Sequence, residues 1–264
     1  MIKAIFSDID GTLSAPNRPI PTDIACAIVE ILDYVNFGIL TAQSISQTQV
    51  QLLDPLESCG VTSKQLEHLF LGEAQGTALY TYDSSIEKWS SRYSFNLEEA
   101  EIGKIETTIC DAVKKCGFEN PEGLKGNRTQ DRKTQVTFYG LGSEADRRLK
   151  IAWDPDGSKR KAIIAEAIKN APEFEYRVGG TTSIDITKPG MDKSFGIMRM
   201  LKELGGTDPS EVIYLCDEAY PGGNDYPIIQ TGDYRTRIVS SPKQSLFYLK
   251  AFIDACRNCQ RTPR

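Results

Sequence analysis

At 264 residues, 40% apolar and 25% charged, the chain has the make-up of an ordinary globular protein and the length for one large domain or two modest ones. Its net charge of −5 gives no field that would draw it to nucleic acid or anionic lipid, so a small anionic substrate needs local positive charge. No apolar run approaches the roughly 18 residues that span a bilayer, and Met1-Ile2-Lys3 leads into a strand pattern rather than a leader, which predicts a cytoplasmic protein with no membrane partner.

The first element is the apolar run Ala4-Ile5-Phe6, which ends in Ser7-Asp8-Ile9-Asp10-Gly11-Thr12. Two carboxylates spaced i, i+2 at the end of a buried strand repel and lose hydration, several kcal/mol unless a cation offsets it. A divalent metal fits, with Asp8 as a nucleophile toward phosphorus and Asp10 as general acid and then base. The bland alternative is an Asp-x-Asp-Gly surface turn.

Thr22 or Asp23 can cap a helix whose face is Ile24, Ile28, Ile31, Leu32 and Val35, and Phe37-Gly38-Ile39-Leu40 follows as a short buried strand. Strand, helix, strand is a right-handed βαβ crossover. Ligands in such sheets bind beyond the carboxyl ends of the strands, which draws attention to Thr41, either a phosphoryl-oxygen contact or simply a helix cap.

From Asp83 to Asp185 the texture changes. Strand patterns at Trp89–Tyr93, Gln135–Tyr139 and Ser183–Ile186, with helical patterns at Glu98–Cys116 and Lys159–Asn170, predict a compact α+β unit. The polar stretch Glu119–Lys133 reads as a long connection inside it. The expected organisation is a catalytic core of residues 1–82 and 188–264 with residues 83–187 inserted. Such an insertion can act as a lid that excludes water.

The α/β texture then returns, with a helix at Lys193–Leu204, strands at Glu211–Leu215 and Arg237–Val239, and a helical pattern at Ser245–Cys256. Lys193 sits where a helix opens, an unfavourable place for a cation unless it balances nearby negative charge; a solvated lysine is the alternative. Tyr214-Leu215-Cys216-Asp217 delivers Asp217 at a strand end, and Pro221-Gly222-Gly223-Asn224-Asp225 follows as a tight turn. Asp8, the Asp10 carbonyl, Asp217 and Asp225 make an oxygen set suited to Mg²⁺. The seven cysteines, an odd count at irregular positions, read as reduced thiols. Cys256 and Cys259 form a lone C-x-x-C pair, and with His68 the only histidine a closed zinc site has little to build on.

In this order the residues resemble the four motifs of the haloacid dehalogenase superfamily. Asp8-Ile9-Asp10-Gly11-Thr12 is similar to the first, Thr41 to the second, Lys193 to the third, and Asp217 with Asn224-Asp225 to the fourth. Gly222-Gly223-Asn224-Asp225, Gly179-Gly180-Thr181-Thr182-Ser183-Ile184-Asp185 and Trp153-Asp154-Pro155-Asp156 resemble more narrowly the branch of eukaryotic-type phosphomannomutases and bacterial sugar-phosphate phosphatases, with a type IIB cap. The resemblance implies a Rossmann-like parallel-sheet α/β core with an inserted α+β cap, Mg²⁺ as cofactor and a small phosphorylated sugar as substrate. It also implies that Ser183 and Asp185 face that substrate from the cap, with Arg132 on its distal anionic group. Three departures stand out: Thr41-Ala42-Gln43-Ser44 lacks the usual glycine, Cys216 replaces a glycine with Glu218 adding charge nearby, and Ser143 lies where a second cap arginine belongs. A mutase must hold a distal phosphate while its intermediate turns over, a task for arginine's bidentate fork, so losing one fork points to a phosphatase over a phosphohexomutase. A catalytically silent relative or a phospho-accepting receiver module are the remaining readings.

Overall fold

The computed structural model describes residues 1–261, which divide into two compact units, 1–94 with 192–261, and Phe95–Met191. The first is built on a seven-stranded sheet in the order β11-β10-β1-β2-β3-β4-β5. Its parallel part comprises β1 (Ala4–Ser7), β2 (Asn36–Leu40), β3 (Leu69–Glu73), β10 (Val212–Cys216) and β11 (Arg235–Ile238). All four residues of β1 are buried, because the sheet is covered on both faces and a central strand then reads as a continuous run rather than an alternation. Ile5 and Ile9 join the core under α1 (Thr22–Ile31) and α10 (Pro242–Arg261), while Ala4 and Phe6 join the opposite core under α8 (Lys193–Glu203). Gly38 is required here: a Cβ on it would lie 2.1 Å from the Phe6 ring.

The elements match the expected βαβ start with two changes. The residue preceding α1 is Pro21, whose fixed φ suits a helix entry, so neither Thr22 nor Asp23 caps it. Between β2 and β3 the chain forms α2 (Ile45–Thr48), a π-helical turn (Gln49–Leu53), α3 (Asp54–Ser58) and α4 (Ser63–Leu66), none of which the sequence pattern resolves. Trp89–Tyr93, expected in the inserted unit, instead lies in β5 (Lys88–Ser94), an antiparallel partner of β4 (Ala78–Asp83) at the end of the large sheet. Its aromatic residues explain this: Trp89 packs on one core of the first unit and Tyr93 on the other, with the Tyr93 hydroxyl donating to the Gly76 carbonyl at 3.1 Å.

The second unit is a four-stranded antiparallel sheet, β6-β7-β9-β8, formed by β6 (Thr129–Asp131), β7 (Val136–Tyr139), β8 (Glu175–Gly179) and β9 (Ser183–Thr187). Helices α5 (Glu99–Lys115) and α7 (Ser158–Ile168) supply Ile105, Ile109 and Ile163 to a core with Val136, Phe138, Ile184 and Ile186. The short helices α6 (Arg147–Trp153) and α9 (Tyr226–Thr231) complete the helix set, α6 in this unit and α9 in the first. The polar stretch 119–133 is not all connection, since β6 forms within it and extends the sheet. Cys26 and Cys59 form a disulfide, which corrects the expectation of reduced thiols for this pair. The two lie on α1 and at the end of α3, so the bond joins neighbouring elements that no spacing rule would pair. Cys256 and Cys259 are free thiols on α10. No described helix is long and apolar enough to cross a membrane.

Candidate active site

Parallel pairing of β1 with both β2 and β10 sets three strand ends side by side, and the loops leaving them carry the polar residues. Asp8, one residue beyond β1, is 4% exposed; its Oδ1 accepts from the Ile9 amide at 2.7 Å and its Oδ2 meets the Lys193 ammonium at 2.8 Å. Lys193 opens α8 and is fully buried. Its Nζ also bonds Asp225 Oδ1 at 2.8 Å and Asn224 Oδ1 at 2.6 Å, so the expectation of a cation held by local negative charge is met. The helix end itself is served by Asp192, whose Oδ1 accepts from the Ser194 and Phe195 amides at 2.9 and 3.0 Å.

Asp217 follows β10, and Thr12 Oγ1 donates to its Oδ1 at 2.7 Å. The approach depends on Gly11, which has φ +85° and whose missing Cβ would fall 2.1 Å from Asp217 Oδ2. Asp225 is fully buried; besides Lys193, its Oδ1 accepts from the Tyr214 hydroxyl, and its Oδ2 from the Glu218 amide at 3.1 Å. Glu218 itself turns its carboxylate to the Asn224 amide at 3.3 Å. Asp8, Asp217 and Asp225 each offer a carboxylate oxygen within 4.8 Å of the others.

Asp8 and Asp225 share the buried Lys193 ammonium with Asp217 beside them, and the excess of negative charge favours the protonated form of the carboxyls. Burial pushes the Asp8 carboxyl up to about 7, opposed by Lys193 and reinforced by Asp225. Burial raises Asp217 too, against the hydrogen bond from Thr12. Burial works against the Lys193 ammonium, yet Asp225 and Asp8 together outweigh it and raise its value. Cys216, beneath them, is held as a neutral thiol by burial. A divalent cation would relieve the surplus, and an all-oxygen carboxylate set is the donor chemistry of Mg²⁺.

Asp10 is absent from that trio through its side chain. Its Oδ1 accepts from the Asn17 amide at 2.8 Å and Gln51 Nε2 at 3.1 Å, and its Oδ2 from Gln43 Nε2 at 2.7 Å. Thr41 follows β2 directly and is 2% exposed; its Oγ1 accepts from the Gln43 amide at 3.1 Å, which leaves its own O–H to donate. The sequence reading overlooked Gln43, Gln51, Thr12 and Tyr214. Thr12 stands in the first motif and could have been found; nothing in the local pattern marks Gln51.

Of the residues expected to recognise substrate, Ser183 and Asp185 lie on β9 and Arg132 follows β6 directly. Ser183 and Asp185 alternate with buried Ile184 and Ile186, so both occupy the face away from the core. Asp185 accepts from Thr137 Oγ1 at 2.9 Å across the β7–β9 pair, and burial raises its carboxyl despite Arg132, Thr137 and Arg177. Arg132 donates to the Tyr139 hydroxyl at 2.8 Å, which donates to Gln130 Oε1 at 2.7 Å. Arg160 braces the β8–β9 turn, giving NH1 to the Gly179 and Gly180 carbonyls at 2.8 and 2.7 Å while its Nε pairs with buried Asp154 at 2.7 Å.

A family model described as eukaryotic phosphomannomutase matches residues 139–254. The Arabidopsis thaliana phosphomannomutase is 22% identical over 257 residues, covering 94% of this chain and 95% of that protein. Among solved structures, an N-terminally truncated Plasmodium falciparum IMP-nucleotidase superposes with a TM-score of 0.69 at 17% identity, covering 94% of this chain and 69% of that one. A haloacid dehalogenase-like hydrolase from Bacteroides thetaiotaomicron gives 0.65 at 12% identity, covering 96% and 100%.

Proposed function

We propose, for a chain that has the haloacid dehalogenase fold and resembles the eukaryotic phosphomannomutases in sequence, a Mg²⁺-dependent phosphomonoesterase acting on a small phosphorylated sugar or related metabolite. The observation that carries this reading is the buried Asp8–Lys193–Asp225 chain of ion pairs with Asp217 beside it. Fixed charge of both signs around one carboxylate suits the attack of an anion on an anionic phosphoryl group.

Asp8 forms a bond to phosphorus and the ester bond breaks, with the electron pair leaving on the ester oxygen. Asp10 gives that oxygen a proton. It then takes one from a water that attacks the aspartyl-phosphate, releasing inorganic phosphate and restoring Asp8. Lys193 holds Asp8 in line and balances its charge, and the Thr41 hydroxyl donates to a phosphoryl oxygen. Asp8, Asp217 and Asp225 would hold Mg²⁺, with the Asp10 carbonyl as a further donor; bound there, the ion supplies positive charge to the phosphoryl oxygens. In the second unit, recognition of the sugar falls to Arg132, Ser183 and Asp185.

Hydrolysis is favoured over phosphohexomutase activity because Ser143 stands where the resemblance places a second cap arginine, and the nearby Lys150, whose Nζ is spent on the Ser143 carbonyl at 2.8 Å, is a point charge rather than a fork. A phosphate-release screen over sugar phosphates, with and without Mg²⁺, tests the reading. Incubation with mannose 6-phosphate and an activating bisphosphate separates the two activities. Isomerised hexose phosphate as the dominant product, or turnover surviving in Asp8→Asn, overturns the proposal.

A further inference from the structure

We propose that Gln43 and Gln51 are positioning residues for Asp10, a carboxamide clamp that fixes which of its oxygens carries the proton; the inference rests on the reading of Asp10 as general acid and base. Oδ1 of Asp10 accepts two N–H donors, from Asn17 and Gln51, so both its lone pairs are engaged. Oδ2 accepts one, from Gln43 at 2.7 Å, and keeps a lone pair for the proton that travels to the ester oxygen and back from water. Without the clamp the carboxylate rotates and presents either oxygen.

The way Gln51 is held argues that its N–H is what matters. It is 5% exposed, its Nε2 donates to Asp10 Oδ1 and, at 3.4 Å, to the Arg18 carbonyl, and its Oε1 accepts no hydrogen bond. Turning the amide over would set its oxygen against two acceptors, so the orientation is determined. A buried acceptor left unpaired costs about 1–3 kcal/mol, and an apolar residue of similar shape would avoid it. The backbone is shaped for the same end. Gln49–Leu53 is a π-helical turn that buries Gln51, Leu52 and Leu53 in succession, and such turns concentrate at functional sites. Gln43 is tied to the same network through its amide, which donates to Thr41 Oγ1, and its Nε2 also reaches Asn17 Oδ1 at 3.3 Å.

General acid catalysis matters most when the leaving group is basic, which gives a readout that a structural role would not move. With Mg²⁺ present, kcat/KM is measured for phenyl, 4-nitrophenyl and 2,4-dinitrophenyl phosphate on the wild type, Gln51→Leu and Gln43→Glu. The expected result is a loss of about 10- to 100-fold on phenyl phosphate in both variants and less than about threefold on 2,4-dinitrophenyl phosphate. Gln51→Leu removes the unpaired oxygen together with the two hydrogen bonds that Nε2 donates, so its folding is checked by urea unfolding; if it does not fold, the partly buried Gln43→Glu decides. Equal losses on all three esters, or none, overturn the clamp while the phosphatase reading stands. A wild type inert toward all three overturns that reading and the clamp with it.

Discussion

Asp8→Asn should make the metal-free protein more stable relative to the wild type as pH rises, even as it removes the proposed nucleophile. The Asp8 carboxyl moves from 3.8 in a free chain to about 7 in the folded one, driven first by burial. A raised carboxyl binds a proton in the folded state that the unfolded state has released. Its contribution is therefore fully present below about pH 4 and lost as pH climbs through about 7. At about 1.4 kcal/mol per pH unit, the whole displacement amounts to about 4 kcal/mol, of which about 2 kcal/mol falls between about pH 5.5 and 8.5. Asparagine keeps an oxygen for the Ile9 amide and carries no charge to desolvate. Urea unfolding in chelator across that range should show the mutant gaining on the wild type by about 2 kcal/mol, with Mg²⁺ closing the gap at the alkaline end. A difference that stays flat or shrinks with rising pH would refute the charge-surplus account of the site.

Lys193→Met leaves Asp8, Asp217 and Asp225 without their cation and should cost about 3–5 kcal/mol at neutral pH; adding Asp225→Asn should return part of it, read by denaturant midpoints. Asp154→Ala in the second unit strips the buried Arg160 of its partner and removes the acceptor of the Lys159 and Arg160 amides, with about 3–5 kcal/mol expected. Its pH sign is opposite to that of Asp8. Burial raises the Asp154 carboxyl, but its hydrogen bonds with Arg160 and the backbone hold it below the usual range, so the mutant's deficit should be constant above about pH 4 and shrink as pH falls below it. Gly11→Ala drives a methyl into Asp217 at a φ of +85°, and should lose at least about 2 kcal/mol and the Mg²⁺ response of turnover together, measured by urea unfolding and phosphate release.

Asp8, Asp10, Asp217, Asp225 and Lys193 were legible in the chain because each sits where a strand ends or a helix begins, and local patterning locates those boundaries. Parallel order did the rest: β1 beside β10 and β2 brings the strand ends together whatever the intervening length. Thr41 was legible for the same reason.

Gln51 was not legible, since 41 residues separate it from Asp10 and only the π-helical turn aims it inward. The Cys26–Cys59 bond depends on helix packing across 33 residues, which an odd cysteine count hides. Trp89–Tyr93 looked like part of the insertion because strand patterning does not specify a partner sheet; pairing with β4 and the packing of its aromatics on the first unit's cores made that choice. Element types and the charges placed at their ends thus follow from periodicity and local backbone chemistry. Who partners whom, how much water each charge loses and which donors reach Asp10 depend on distances between residues far apart in the chain, and those are set by the tertiary packing.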